Sequence, residues 1–191
     1  MSKGVLLVIS GPSGCGKGTV LEHLMKNEGF CYSVSATTRA PREGEVDGEN
    51  YFYISESEFF RWIDSGLLLE HAVYCGNLYG TPKEYVEKCL SDGKNVVLEI
   101  ETEGAFNVKA AMPEALLIFI APPDMETLEA RLKGRGTEDS ETVKLRLARA
   151  KEEMELMPRY DVCVVNKQGF ADEAALQILE AVNKYRAKND N

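Results

Sequence analysis

The chain has 191 residues, 44% hydrophobic and 28% charged, which suits one α/β domain with insertions and is too short for two full domains. With 22 basic and 31 acidic residues the formal charge is −9, a field that repels nucleic acid and anionic membrane and makes the chain a poor general binder of either. Five cysteines, Cys15, Cys31, Cys75, Cys89 and Cys163, show no CxxC pair or metal-ligand spacing, the pattern of a reduced cytoplasmic protein with mostly buried thiols.

The first apolar run, residues 5–9, is too short for a signal-peptide core and leads into a glycine-rich loop rather than a cleavage site. Nothing reaches transmembrane length. Similar runs follow at 96–100, 116–120 and 162–165. Runs apolar on both faces predict buried strands of a parallel sheet. Helical patterns lie between them over about 16–27, 82–90, 125–133, 141–155 and 172–188. The alternation predicts a three-layer α/β core. Two stretches interrupt it: 35–83, polar and aromatic with a short strand at 51–54, and 126–155, a charged helical hairpin. The expected organisation is a single domain with its core in 1–34, 84–125 and 156–191, a substrate-binding insertion and a helical lid.

Gly11-Pro12-Ser13-Gly14-Cys15-Gly16-Lys17-Gly18-Thr19 follows the first strand and opens the first helix. GxxxxGK in that context is a phosphate-binding loop: glycines let successive N–H groups turn inward, the helix N-terminus adds its positive end, and Lys17 brings a full charge to the β- and γ-phosphates. Gly18, where GTPases carry a metal-ligating hydroxyl, points away from a GTPase and toward small-molecule kinases. Cys15 lies among backbone donors at a helix start. That setting lowers a thiol pKa and makes the residue reactive toward alkylation; the alternative is an inert small filler.

Residues 33–51, SVSATTRAPREGEVDGENY, closely resemble the signature of guanylate kinases, as does Glu70 followed by Gly76-Asn77-Leu78-Tyr79-Gly80-Thr81. With the phosphate loop, Arg135-Gly136-Thr137, Arg146-Leu147 and Val164-Val165-Asn166, the similarity covers essentially the whole chain. The resemblance implies a P-loop fold with an inserted GMP-binding subdomain over about 35–83 and a lid over about 126–155. The implied activity is ATP-dependent phosphorylation of GMP, and of dGMP, with Mg²⁺, in purine nucleotide metabolism. The implied ATP site is residues 11–19 with Arg135 and Asn166, the latter near the adenine. Ser35, Arg39, Arg42, Tyr51 and Tyr79 are implied to hold the GMP phosphate, and Glu70, Thr81 and Ser35 to read the guanine. Lys17, Arg39, Arg131, Arg135 and Arg146 are implied to be catalytic, the last three as lid arginines.

Residue chemistry fits this. Arginines at i and i+3, spaced by Pro41, offer fork-shaped donors to one phosphate. A carboxylate facing guanine accepts from N1–H and the 2-amino group, which adenine cannot satisfy. His71 is left structural. Glu99 and Glu101 replace two usual aspartates and Glu103 a usual glutamine. As i and i+2 residues, Glu99 and Glu101 are expected on one face of a strand, Glu99 near GMP and Glu101 reaching Mg²⁺ through water. Arg149, where the family usually has a small residue, is expected on the surface. Two other readings stay open: a non-catalytic guanylate-kinase-like interaction module, and a P-loop kinase with another acceptor.

Overall fold

Alternate residues of the first strand enter two different cores, which is why its sequence is apolar throughout. Leu7 and Ile9 face one layer of helices and Leu6 and Val8 the other, none more than 2% exposed. The strand from Leu116 to Ala121 divides the same way, with Leu116, Ile118 and Ile120 on one side and Leu117 and Phe119 on the other. Each such side chain contributes about 1.5–3 kcal/mol on burial.

The computed structural model describes residues 3–74, 76–134 and 140–189. Cys75, Arg135, Gly136 and Thr137 lie outside them. In chain order the elements begin β1 (Leu6–Ser10), α1 (Lys17–Leu24), β2 (Phe30–Tyr32), β3 (Ala36–Thr37), β4 (Phe52–Tyr53), α2 (Glu56–Asp64), β5 (Leu68–Tyr74) and β6 (Asn77–Pro82). They continue α3 (Lys83–Ser91), β7 (Asn95–Glu99), α4 (Thr102–Ala111), β8 (Leu116–Ala121), α5 (Met125–Gly134), α6 (Ser140–Glu155), a 3₁₀ turn (Met157–Arg159), β9 (Val162–Val165) and α7 (Ala171–Asn189).

Five parallel strands form the central sheet in the order β2-β7-β1-β8-β9. Helices α1 and α7 supply Val20, Leu21, Leu24, Ile178 and Val182 to one core. Helices α3 and α4 supply Val86, Leu90, Ala105 and Val108 to the other. The loop after β1 and the turn after β7 therefore open at the C-terminal edge of adjacent strands, where open α/β sheets bind ligands.

A second sheet, ordered β4-β3-β6-β5, is built entirely from residues 36–82 and is mainly antiparallel. Helix α2 closes it: Ser55 accepts from Glu58 N (3.2 Å) at the N-cap, and Phe59 is fully buried. The hairpin of α5 and α6 has a small core of its own, Leu128, Leu132, Val143 and Ala150.

Candidate active site

The phosphate loop keeps its shape through three glycines at positive φ, Gly11, Gly14 and Gly16, and two braces. Gly16, the N-cap of α1, has φ 87, and a Cβ there would lie 2.5 Å from Asn166 Nδ2; only glycine satisfies both demands. Asn166, at the end of β9 and 4% exposed, donates through Nδ2 to Cys15 O (2.8 Å). Arg131, from α5, donates to Cys15 O (3.0 Å), to Asn166 O (3.0 Å) and to Gln168 Oε1 (3.2 Å). Lys17 Nζ folds over the loop, donating to Gly11 O (2.6 Å) and Pro12 O (3.3 Å). Asn166 and Arg131 line a cavity of about 680 Å³ behind the loop, with Gly14, Gly16, Thr19 and His23. Arg131 thus braces the loop at Cys15 together with Asn166.

Cys15 corrects the expectation of a reactive thiol. Its side chain packs into the sheet–helix core and is 0% exposed. Desolvation raises its pKa and outweighs the lowering effects of Lys17 and the backbone. Its burial supports the inert-filler reading. Among the described cysteines Cys163 is exposed and Cys89 is buried. Among the described cysteines, native labelling followed by peptide mass mapping is therefore expected to modify Cys163 first, and Cys15 only on unfolding. Early modification of Cys15 would contradict its burial.

On the second sheet, Glu45 organises the two arginines. Its carboxylate accepts from Arg39 Nη2 (2.9 Å), the backbone N–H of Arg42 (2.7 Å) and the Tyr53 hydroxyl (2.7 Å). These donors hold Glu45 well below the usual carboxylate range, at about 2. Arg39 also donates to Ala40 O (2.7 Å), interacts with the Tyr79 hydroxyl, and lies 5.4 Å from the Tyr51 ring centre. Tyr51 and Tyr79 stack edge to face at 5.9 Å.

Glu70, from β5, is 8% exposed and accepts from Thr81 Oγ1 (2.8 Å) on the paired strand β6. Burial raises its pKa, and the Thr81 bond opposes the rise. A Cβ on Gly104 of α4 would stand 3.0 Å from Glu70 Oε2, so this glycine gives the carboxylate its space. Thr81 is 0% exposed and its hydroxyl is engaged by Glu70. It orients the acid.

Glu99 and Glu101 do not share a strand face as expected. Strand β7 ends at Glu99, and Glu101 is the extended N-cap of α4 (φ −67, ψ 160). The chain turns here because Ile100 O accepts from Ser10 Oγ (2.8 Å), while Ala105 N donates to Glu101 O (3.0 Å) to start the helix. Glu99 accepts from the Tyr32 hydroxyl (2.9 Å). Glu101 accepts from Arg149 Nη2 of α6 (3.1 Å), so Arg149, half exposed, is more than the surface residue expected. Arg146, one turn earlier, donates to Ser13 Oγ (3.1 Å).

One cavity of about 390 Å³ unites these groups. Ser13, Lys17, Ser35, Arg39, Arg42, Tyr51, Glu70, Tyr79, Glu99, Glu101 and Gly104 all line it. A phosphate loop joined to a second, arginine-lined wall in one cavity has known relatives. The family model described as Guanylate kinase matches residues 3–185. The chain is 50% identical over 181 residues to the guanylate kinase of Lactococcus lactis, covering 94% of this chain and 88% of the relative. It is 52% identical over 195 residues to that of Listeria monocytogenes serotype 4b, covering 96% and 95%.

The chain belongs to the guanylate kinase family.

The solved structure of guanylate kinase from Anaplasma phagocytophilum superposes with a TM-score of 0.76 at 34% identity, covering 96% of this chain and 87% of that one. Within this guanylate kinase framework, sequence reasoning missed Glu45, Tyr53, Tyr32, Gly104 and Arg149. Glu45 was the most findable, because it lies three residues after Arg42 in the same polar run. Tyr32 and Arg149 reach their partners from positions 67 and 48 residues away, a distance no local pattern reports.

Proposed function

We propose that this chain transfers the terminal phosphoryl group of ATP to GMP, and to dGMP, releasing ADP and the nucleoside diphosphate. The observation that carries this reading is the single cavity walled by both Lys17 and the Glu70–Arg39–Arg42 set. A GMP oxygen attacks the terminal phosphorus in line, the bond to the β-phosphate oxygen breaks, and ADP leaves. The protein contributes mostly position and charge.

In this reading residues 11–19 and Lys17 hold the ATP phosphates, and Asn166 and Arg131 keep the loop shaped for them. Ser35, Arg39, Arg42, Tyr51 and Tyr79 fix and neutralise the acceptor phosphate. Glu70, oriented by Thr81, accepts from guanine N1–H and the 2-amino group, with Glu99 beside the GMP. Arg146 lies over Ser13 beside the transferred group, and Arg135 is assigned to the ATP phosphates and the transferring phosphoryl from its motif alone. Closure of the α5–α6 hairpin excludes water.

Among the described residues no group of three or more His, Cys, Asp or Glu is disposed to hold a metal by itself. Glu99 and Glu101 nevertheless place hard oxygen donors on the cavity wall, which suits Mg²⁺ that arrives with the nucleotide and keeps its waters. Glu101 would orient that water shell. When bound, Mg²⁺ neutralises phosphate charge. We place the protein in the cytoplasm, in keeping with the free cysteines among the described residues. An interaction module would have no use for Lys17, Arg39 and Arg42 converging on one cavity.

The test is a coupled assay of ADP formation from Mg-ATP with GMP, dGMP, AMP, CMP and UMP in turn. Turnover with the guanine monophosphates is expected, and only background with the others. Background with GMP from folded protein would refute the assignment.

A further inference from the structure

Helix α6 touches the sheet layer through two arginines one turn apart. Arg146 donates to Ser13 on the phosphate loop (3.1 Å), and Arg149 to Glu101 at the turn into α4 (3.1 Å). Arg149 also donates through Nε to Glu153 Oε1 (3.3 Å), four residues along its own helix. Glu153 is 7% exposed, and desolvation together with Glu101 disfavours its charged form. Two acids therefore crowd the start of α4, and the guanidinium donates to both. Its Nη2 and Nε point to different carboxylates, a division that a lysine ammonium does not reproduce in the same geometry.

Glu101 forms the partition between two spaces. On one side it lines the cavity with Lys17 and Glu99. On the other it lines a cleft against α6 with Arg149, Glu152 and Glu153. Although it stands at an N-cap, it makes no side-chain capping bond. Its orientation is therefore set from α6 rather than from its own helix. The bridge is about half open to water, at 51% and 49% side-chain exposure, and bridges of that kind contribute little to folding. Its consequence lies in where it holds Glu101.

We propose that Arg149 is a positioning residue of the phosphoryl-transfer site: by pairing with Glu101 it fixes that carboxylate on the cavity wall and ties the lid helix to the sheet beside the phosphate loop. This rests on the cavity being the transfer site proposed above. Arg149 touches no substrate in this account and acts through Glu101 and through the placement of α6.

The test compares wild type, Arg149→Gln, Glu101→Gln, the double variant and Arg149→Lys. Melting temperatures are expected to agree within a few degrees. Each single Gln variant is expected to lower kcat about tenfold with KM for GMP nearly unchanged, and the double variant to be no worse than either single. Arg149→Lys is expected to restore part of the loss, because charge returns without the fork. Without nucleotide or metal, amide hydrogen exchange across 140–155 is expected to quicken in Arg149→Gln. Losses that multiply in the double variant, or a kcat unchanged by Arg149→Gln while wild type turns over GMP, would overturn the proposal. Wild type inactive on GMP would sink the functional reading instead, and the exchange experiment would still report whether Arg149 ties α6 to the sheet.

Discussion

Glu70→Gln is expected to lower kcat/KM for GMP by about 10²–10³-fold while the protein stays folded. Glu70 is 8% exposed, with Thr81 donating to Oε1 (2.8 Å) and Gly104 leaving room beside Oε2. In the proposed function guanine presents two donors to this carboxylate. An amide keeps one acceptor and turns the other into a donor facing a donor. Bonds to a charged acceptor contribute about 1.5–3 kcal/mol each, so losing one and opposing the other accounts for that factor. Stability should move the other way. Burial raises the folded pKa above the ordinary 4.5, so folding favours the protonated acid. The charged form therefore carries a cost that grows as pH rises from 4.5 through the folded pKa and is absent below 4.5. At neutral pH the Gln variant should melt no lower than wild type, and its advantage should vanish on acidification. Melts at several pH values and steady-state kinetics check both halves; an unchanged kcat/KM would mean the base is read elsewhere.

Lys17→Ala should lower kcat by a similar factor, about 10²–10³, the loss seen when one preorganised charge or donor is removed from a transferring group. Lys17 Nζ is held over the loop by Gly11 O (2.6 Å) and Pro12 O (3.3 Å), so its charge is placed before any substrate arrives. The next residue is Gly18, which carries no side chain to replace the lost charge. Backbone N–H groups and the α1 N-terminus would still hold ATP, which predicts that KM for ATP rises less than kcat falls. Lys17→Arg should not rescue, since a planar fork cannot take the ammonium's place between those two carbonyls. Melting curves should change little because Lys17 is only half-buried. A loss confined to KM would assign Lys17 to ground-state binding.

The parallel core was legible because its strands are buried on both faces, and a run such as Leu116–Ala121 admits no other place. Strand β2 was not legible, being three residues long at the edge. Neither was α4, which buries only Gly104, Ala105 and Val108 and so shows no apolar stripe. In the second sheet, β5 and β6 carry residues chosen for a cavity. Their apolar period is interrupted at Glu70, Tyr79 and Thr81, and only their mutual pairing makes them strands.

Short spacing in sequence made the phosphate loop legible, while the paired arginines and the carboxylate assigned to guanine were read from the resemblance to a known family. Sequence alone could not determine the state of Cys15. A backbone donor environment and a side chain turned into the core coexist at one residue, and only packing shows that desolvation wins. Nor could it place Glu101, whose i and i+2 relation to Glu99 was sound while the strand continuing between them was not. Tertiary structure decided that Arg149 bridges Glu101 and Glu153, since a guanidinium bridges whichever acids the fold brings within about 3 Å, however far apart they stand in the chain.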